Sequence, residues 1–251
     1  MKAFLLAAGH GTRLRPLTDS TPKCLLPIGG TPLLGIWLEL CRCSGIGEVL
    51  LNLHAHPGAV RDYLSRQPCG VEVTVFEEPE LLGSAGTVAA NREWVRSEEC
   101  FWILYADVLT NVDLTAMLRF HRAHPSAATI GVYRVPDPSR CGIVTVDQNQ
   151  RVTHFVEKPA HPASNLAFSG VLLGTPELLE AIPDQTPADL GHDVLPRLAG
   201  RMSAYEIGEF LLDIGTRQNY ERAQATWPGL EKSGARTERR TDKEDFTCLP
   251  A

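Results

Sequence analysis

Ala3-Phe4-Leu5-Leu6-Ala7-Ala8-Gly9-His10-Gly11-Thr12-Arg13-Leu14-Arg15-Pro16-Leu17-Thr18, followed by Pro22-Lys23, sets the architecture of this chain. Its first five residues are an apolar run that predicts a buried strand. Gly9 and Gly11 let the backbone turn sharply and present N–H groups, and Arg13 and Lys23 bring two cations to the turn. Bare glycine, backbone donors and fixed positive charge together suit a polyphosphate. Taken alone, the glycine pair reads equally as an ordinary strand-to-loop turn. It is not a dinucleotide fingerprint, because the third glycine of that pattern is missing at Leu14.

Outward from this strand, helical and strand patterns alternate. Thr31-Pro32 reads as an N-cap and first-turn proline opening a helix to Ser44. Strands are expected over 48–53, 71–76 and 101–105, with helices over 59–66 and 86–95, and Asp113 capping a helix to His124. The alternation predicts an α/β fold: a doubly wound, mostly parallel Rossmann-like sheet covered on both faces. From Ala127 the pattern changes, and 127–135, 142–146, 152–157 and 166–173 read as strands joined by short turns. That run predicts a small antiparallel annex. Helices are expected over 176–181 and 192–198, then a strand ending at Asp213 and a last helix opened by Thr216. Residues 1–228 read as one domain, and 229–251 as a charged, disordered tail.

With 251 residues, 43% of them hydrophobic, the chain can bury one core with a small annex. It has no apolar run of about 18 residues, which argues against a membrane span. The N-terminus enters the first strand directly, so no signal peptide is expected and a cytoplasmic protein is. Seven cysteines without a Cys-x-x-Cys pair read as reduced thiols. The net charge of −6 argues against a nucleic-acid partner. It also requires that an anionic substrate be drawn by a local cluster or a metal. His54-x-His56 reads as structural, and His121 and His124 as a solvated helix end.

Ligands of open α/β sheets sit beyond the carboxyl ends of the strands. Asp107 follows one apolar run there and Asp213 another. Each alone reads as a turn acid, but two of them beside a phosphate loop favour a shared Mg²⁺, held through carboxylates and substrate phosphates. Glu157-Lys158-Pro159 ends a further strand and, alone, is a solvated pair. Residues 77–87 form a glycine-bearing loop running into a helix.

Together these segments resemble the sugar-1-phosphate nucleotidylyltransferases, which join a nucleoside triphosphate to a sugar 1-phosphate and release pyrophosphate. Residues 6–18 and Pro22-Lys23 match their signature loop, with Ala8 in place of one glycine. Tyr105-Ala106-Asp107-Val108-Leu109 and Leu212-Asp213-Ile214-Gly215-Thr216 resemble their two metal motifs. Residues 139–144, 155–159, Ser164-Asn165 and Ser169-Gly170 resemble the sugar pocket of the thymidylyl- and guanylyltransferases, with Cys141 in place of a tyrosine. The loop at 77–87 resembles a nucleobase loop common in mannose-1-phosphate guanylyltransferases, with one extra residue and Ser84 for threonine.

The resemblance implies a nucleotide held by Leu6, Ala8, Gly9, Gly11, Thr12, Arg13, Lys23, Glu78, Gly83, Ala85, Gly86 and Asp107. It implies a sugar phosphate held by Gly142, Glu157, Lys158, Asn165, Ser169 and Gly170, and Mg²⁺ on Asp107 and Asp213. Arg13, Lys23, Asp107 and Asp213 form the implied catalytic group. Residues 1–126 then carry mainly the nucleotide and 127–228 mainly the sugar phosphate. GTP with a mannose- or heptose-type sugar 1-phosphate is the first choice. Other triphosphates, a glucose, amino-sugar or cyclitol phosphate, and a homodimer stay open. A non-catalytic nucleotide-sugar-sensing subunit is the alternative, disfavoured because all four catalytic residues are present.

Overall fold

The computed structural model describes residues 1–66 and 70–230; positions 67–69 and 231–251, including all but the first two residues of the expected tail, lie outside the described residues. In chain order the strands are β1 (Lys2–Leu6), β2 (Pro27–Ile28), β3 (Thr31–Pro32), β4 (Glu48–Leu53), β5 (Glu72–Glu77), β6 (Phe101–Tyr105), β7 (Val108–Thr110), β8 (Ala128–Arg134), β9 (Gly142–Val146), β10 (Val152–Glu157), β11 (Leu166–Gly174), β12 (Met202–Glu206) and β13 (Leu211–Asp213). The α-helices are α1 (Leu33–Cys43), α2 (Pro57–Arg66), α3 (Gly83–Ala90), α4 (Leu114–Ala123), α5 (Pro176–Ala181) and α6 (Arg217–Thr226).

Four parallel strands, in the order β6-β1-β4-β5, form the middle of a mixed nine-stranded sheet. Their side chains alternate between two cores, as the two-residue strand period requires. Ala3 and Leu5 of β1 face one core with the buried side of α1, while Phe4 faces the other with Ala85 and Val88 of α3. Both faces are therefore covered, as expected of the doubly wound half.

The expected antiparallel strands join the central sheet. β11 pairs antiparallel with β6 and carries β8 and β9 beside it, so the antiparallel strands extend the central sheet. The second half of β11 lies against β6, its first half reaches β9, and its pairing shifts register between Phe168 and Leu172. Gly170 sits in that shift with φ +77°, a conformation that glycine adopts without strain. A small second sheet pairs β7 with β13, so that Asp213 lies opposite Val108.

Several local expectations are refined or corrected. Thr31-Pro32 leads into the expected helix, with Pro32 rather than Thr31 at the N-cap of α1 and Ser44 at its C-cap. It also pairs with Pro27–Ile28 around Gly29 and Gly30, both at positive φ, the two-residue turn such a hairpin needs. Helix α3 starts earlier and stops at Ala90, where the Asn91 amide turns back to donate to the Thr87 carbonyl at 2.9 Å. Residues 190–198 form a π turn and then a 3₁₀ turn, since Pro196 has no N–H to continue a helix. His121 is buried, with Nδ1 2.8 Å from Thr129 Oγ1, and burial pushes its pKa down. The caps on Asp113 and Thr216 are as expected. Gly229 and Leu230, the described start of the tail, are docked: the Gly229 carbonyl accepts from the Asn111 amide, and Leu230 packs on the core. Among the described residues no helix is long and apolar enough to cross a membrane.

Candidate active site

Sheet register brings the chemistry together. Leu6, the last residue of β1, lies opposite Asn52 on one side and Tyr105 on the other. Three parallel strands thus end at one level, and the loops after them share one edge. There the chain forms a cavity of about 470 Å³. The loop 7–13 is one wall, pinned by fully buried Leu14 and by Thr18, whose hydroxyl donates to the Gly11 carbonyl at 2.9 Å. Gly11 has φ +64°, and a Cβ there would lie 3.0 Å from Thr18, so both conformation and space call for glycine. Above Gly9 nothing lies within 4 Å, which leaves its backbone open to a ligand.

Asp107 continues from β6, and Asp213 ends β13 beside it, with the Ile214 amide donating to the Asp107 carbonyl at 3.0 Å. Lys23 Nζ lies 2.9 Å from Asp107 Oδ2 and is only 11% exposed, so it is a fixed charge and not a waving surface lysine. Arg13 lies across Gly215, where a Cβ would meet its Nη2 at 2.7 Å. Burial, and then the neighbouring Asp107 carboxylate, push the Asp213 pKa above the usual carboxylate range. Lys23, the Gly215 amide 2.6 Å away and Arg13 oppose that rise. The edge therefore sets two cations against two carboxylates, one of them costly to ionise.

A second cavity, about 260 Å³, opens where β11 passes from β6 to β9. It shares Tyr105 and Asp107 with the first, and Asp213 lines it. Gly142, Glu157, Lys158, Ser169 and Gly170 are all on its walls. Glu157 is 15% exposed and holds Lys158 at 3.2 Å. Lys158 itself is 60% exposed and has φ +45°. Burial pushes the Tyr105 hydroxyl well above its usual range, with the carboxylate of Asp189 adding to the effect.

Leu6, Ala8, Gly9, Gly11, Thr12, Arg13, Lys23, Glu78, Gly83 and Asp107 line the first cavity. Three expected residues border neither of these cavities. The Ala85 and Gly86 amides both donate to the Ala188 carbonyl, at 2.9 and 3.1 Å, and neither residue borders the space. Asn165 is exposed and accepts from Arg134. Glu78, although on the wall, is consumed by the protein: it accepts from the Asn52 amide, the Thr87 hydroxyl and the Leu82 N–H. Asn52 in turn accepts from the Ala7 N–H at 2.6 Å, so a buried polar network backs the phosphate-type loop. Sequence reasoning missed Asn52, Asp189 and His192 at the cavities, and named Ser84 only as a replacement within the loop at 77–87. A lone asparagine inside the apolar run 49–53 was the available signal for the first.

Comparison with known proteins follows the same line. The model of the nucleotidyl transferase family matches residues 2–228. Mannose-1-phosphate guanylyltransferase 1 of Arabidopsis thaliana is 34% identical over 227 residues, covering 88% of this chain and 63% of that protein. Mannose-1-phosphate guanyltransferase beta-B of Xenopus laevis is 33% identical, with 88% and 62% covered. The chain thus spans somewhat less than two thirds of the length of these relatives. A Bacillus anthracis structure described as a glucose-1-phosphate thymidylyltransferase, in complex with sucrose, superposes with a TM-score of 0.80 at 25% identity, covering 90% of this chain and 94% of that one. HddC from Yersinia pseudotuberculosis gives 0.77 at 24% identity, with 89% and 98% covered, and speaks to the fold alone. By its matched length, its loop and its sheet, the chain belongs to the nucleotidyl transferase family.

Proposed function

We propose that the chain transfers a nucleoside monophosphate from a triphosphate to a sugar 1-phosphate and releases pyrophosphate, with GTP and mannose 1-phosphate as the first-choice pair. The observation that carries this reading is the pair of cavities meeting at Tyr105 and Asp107, with Lys23 fixed at the junction. The first takes the triphosphate against the loop 7–13; the second takes the sugar phosphate. The preference for guanine and mannose rests on the relatives at 33–34% identity. On this reading 1–228 is one catalytic unit, divided near residue 126 into nucleotide and sugar halves.

The sugar phosphate brings its own nucleophile. A phosphate monoester is largely dianionic at neutral pH, with a second pKa near 6, so no general base is needed. One of its oxygens bonds to the α-phosphorus, and the bond from that phosphorus to the bridging oxygen breaks as pyrophosphate leaves. The obstacle is repulsion between two anions, and the protein answers it by position and charge. Gly9 and Gly11 present the loop backbone to the triphosphate, and Arg13 neutralises it. Lys23, anchored on Asp107, meets the α-phosphate. Glu157 accepts from sugar hydroxyls and Lys158 pairs with the sugar's phosphate. Asp107 and Asp213 would hold Mg²⁺, which suits hard carboxylate oxygens and would offset the burial and then the Asp107 repulsion that raise the Asp213 pKa. When bound, the ion supplies charge neutralisation between the two reactants.

A panel of triphosphates and sugar 1-phosphates, scored by pyrophosphate release, tests the proposal. Release should require one member of each class and stop on chelation with EDTA. Tight binding of a nucleotide sugar with no turnover for any pair would instead favour the sensing subunit. Gly142→Ala probes the second cavity. Its Cβ would lie 2.6 Å from both Glu157 Oε2 and Phe155 Cζ, so the Glu157 carboxylate must move. The KM for the sugar 1-phosphate should rise about tenfold while that for the triphosphate holds, the scale of one charged hydrogen bond. A rise confined to the triphosphate would contradict the assignment of the cavities.

A further inference from the structure

We propose that Ser84 and Asp189 form a clasp coupling the two cavities, acting as positioning residues through which the nucleotide wall sets the shape of the sugar wall. The proposal rests on the reading of the cavities given above. Ser84 lines the first cavity and Asp189 the second, and the Ser84 hydroxyl donates to Asp189 Oδ2 at 2.8 Å across 105 residues of sequence. Ser84 Oγ also accepts from the Leu190 N–H at 2.8 Å, and Tyr105 borders both cavities.

The connection has little slack on either side. On the nucleotide side, the Ala188 carbonyl takes the Ala85 and Gly86 amides, and the Ala188 N–H donates to the Leu82 carbonyl at 2.9 Å. Helix α3 has no side-chain cap, so a distant carbonyl satisfies its first free donors. A Cβ on Gly83 would lie 2.3 Å from the Ala188 oxygen, a measure of how close the two backbones run. On the sugar side, Asp189 Oδ1 accepts from the Gly191 and His192 amides, at 2.8 and 3.1 Å. Gly191 passes so near Glu157 that a Cβ would meet Oε2 at 2.6 Å. A shift at Ser84 therefore moves Asp189, the turn Asp189 holds, and the surroundings of Glu157. Removing one such link leaves the Asp189 carboxylate short of a donor, a change on the scale that alters affinity rather than folding.

The test compares Ser84→Ala, Asp189→Asn, the double variant and Ser84→Thr. Although Ser84 borders the nucleotide, Ser84→Ala should raise the KM for the sugar 1-phosphate about tenfold and leave the triphosphate KM within about twofold. Asp189→Asn should do the same, and the double variant should cost no more than the worse single one. Ser84→Thr, which keeps the hydroxyl, should restore the sugar KM. A Ser84→Ala effect confined to the triphosphate, or single effects that simply add, would overturn the clasp. An arm free of turnover keeps this separate from the assignment of function. In ligand-free protein, Ser84→Ala should speed amide hydrogen exchange at Gly191 and His192, and unchanged exchange there would sink the proposal. If the wild type turned over no substrate pair, the functional reading would fail and the exchange arm would still decide the clasp.

Discussion

The Asp213→Asn protein should melt at a higher temperature than the wild type and yet be nearly inactive. Asp213 is held beside Asp107, and its raised pKa means that the folded chain keeps that proton to higher pH than the unfolded chain does. The sign follows from linkage: with more protons bound in the folded state, stability falls as pH rises through the window between the unfolded and folded pKa values. At neutral pH in EDTA the ionised Asp213 therefore opposes folding. Asparagine keeps an oxygen for the Gly215 amide and removes the charge. Tm should rise by about 2–4 °C at pH 7, and the gap should close on acidification below the raised pKa. Turnover with Mg²⁺ should fall by about 10²–10³, the usual cost of losing one transition-state electrostatic contact. Calorimetry and initial rates on the same preparations check both halves. A lower Tm would discard the electrostatic account, and near-normal turnover would remove Asp213 from the catalytic group.

The second large effect separates the two lysines. Lys23 is 11% exposed and held 2.9 Å from Asp107, and on the proposed reading it meets charge that develops at the α-phosphate. Lys23→Ala should lower kcat by about 10²–10³ with a smaller change in either KM. Lys158 is 60% exposed beside Glu157, and on the same reading it holds the sugar phosphate before reaction. Lys158→Ala should raise the sugar 1-phosphate KM roughly ten- to a hundredfold and spare kcat. Steady-state kinetics varying each substrate in turn distinguish them. If Lys158→Ala raised only the triphosphate KM, the division of the site into nucleotide and sugar halves would be wrong.

What could be read from sequence follows from what each element buries. Strands β1, β4 and β6 are covered on both faces, so each is an apolar run ended by a turn, and their ends could be located to within a residue. The loop 7–13 and Asp107 follow those runs directly and were legible for that reason. Asp213 lies on a three-residue strand, yet its apolar approach and the glycine after it marked the same edge. Strand β12 escaped notice because it is short and mixed: Ser203 is buried between Met202 and Ala204, so no apolar run marks it. The Gly29–Gly30 hairpin was hidden by a Thr-Pro that also suits a helix start. Asp189 was invisible for a different reason: its partners are backbone amides and a hydroxyl 105 residues away, and no local pattern encodes them.

The register shift in β11 has an evolutionary consequence. The phosphate-type loop and Asp107 hang from strands whose pairing runs unbroken across the parallel middle of the sheet. The second cavity hangs instead from a seam, where one strand changes partners around Gly170. Side chains on β9 and β10 can drift without disturbing the registers that fix Leu6, Asn52 and Tyr105. On the proposed reading, the loop that takes the triphosphate and the β9 and β10 walls that face the acceptor are thereby carried on different strands of the sheet. A lineage can then explore new acceptors by substitution on β9 and β10, while Asp213 on its own small sheet and the Ser84–Asp189 link stay in place.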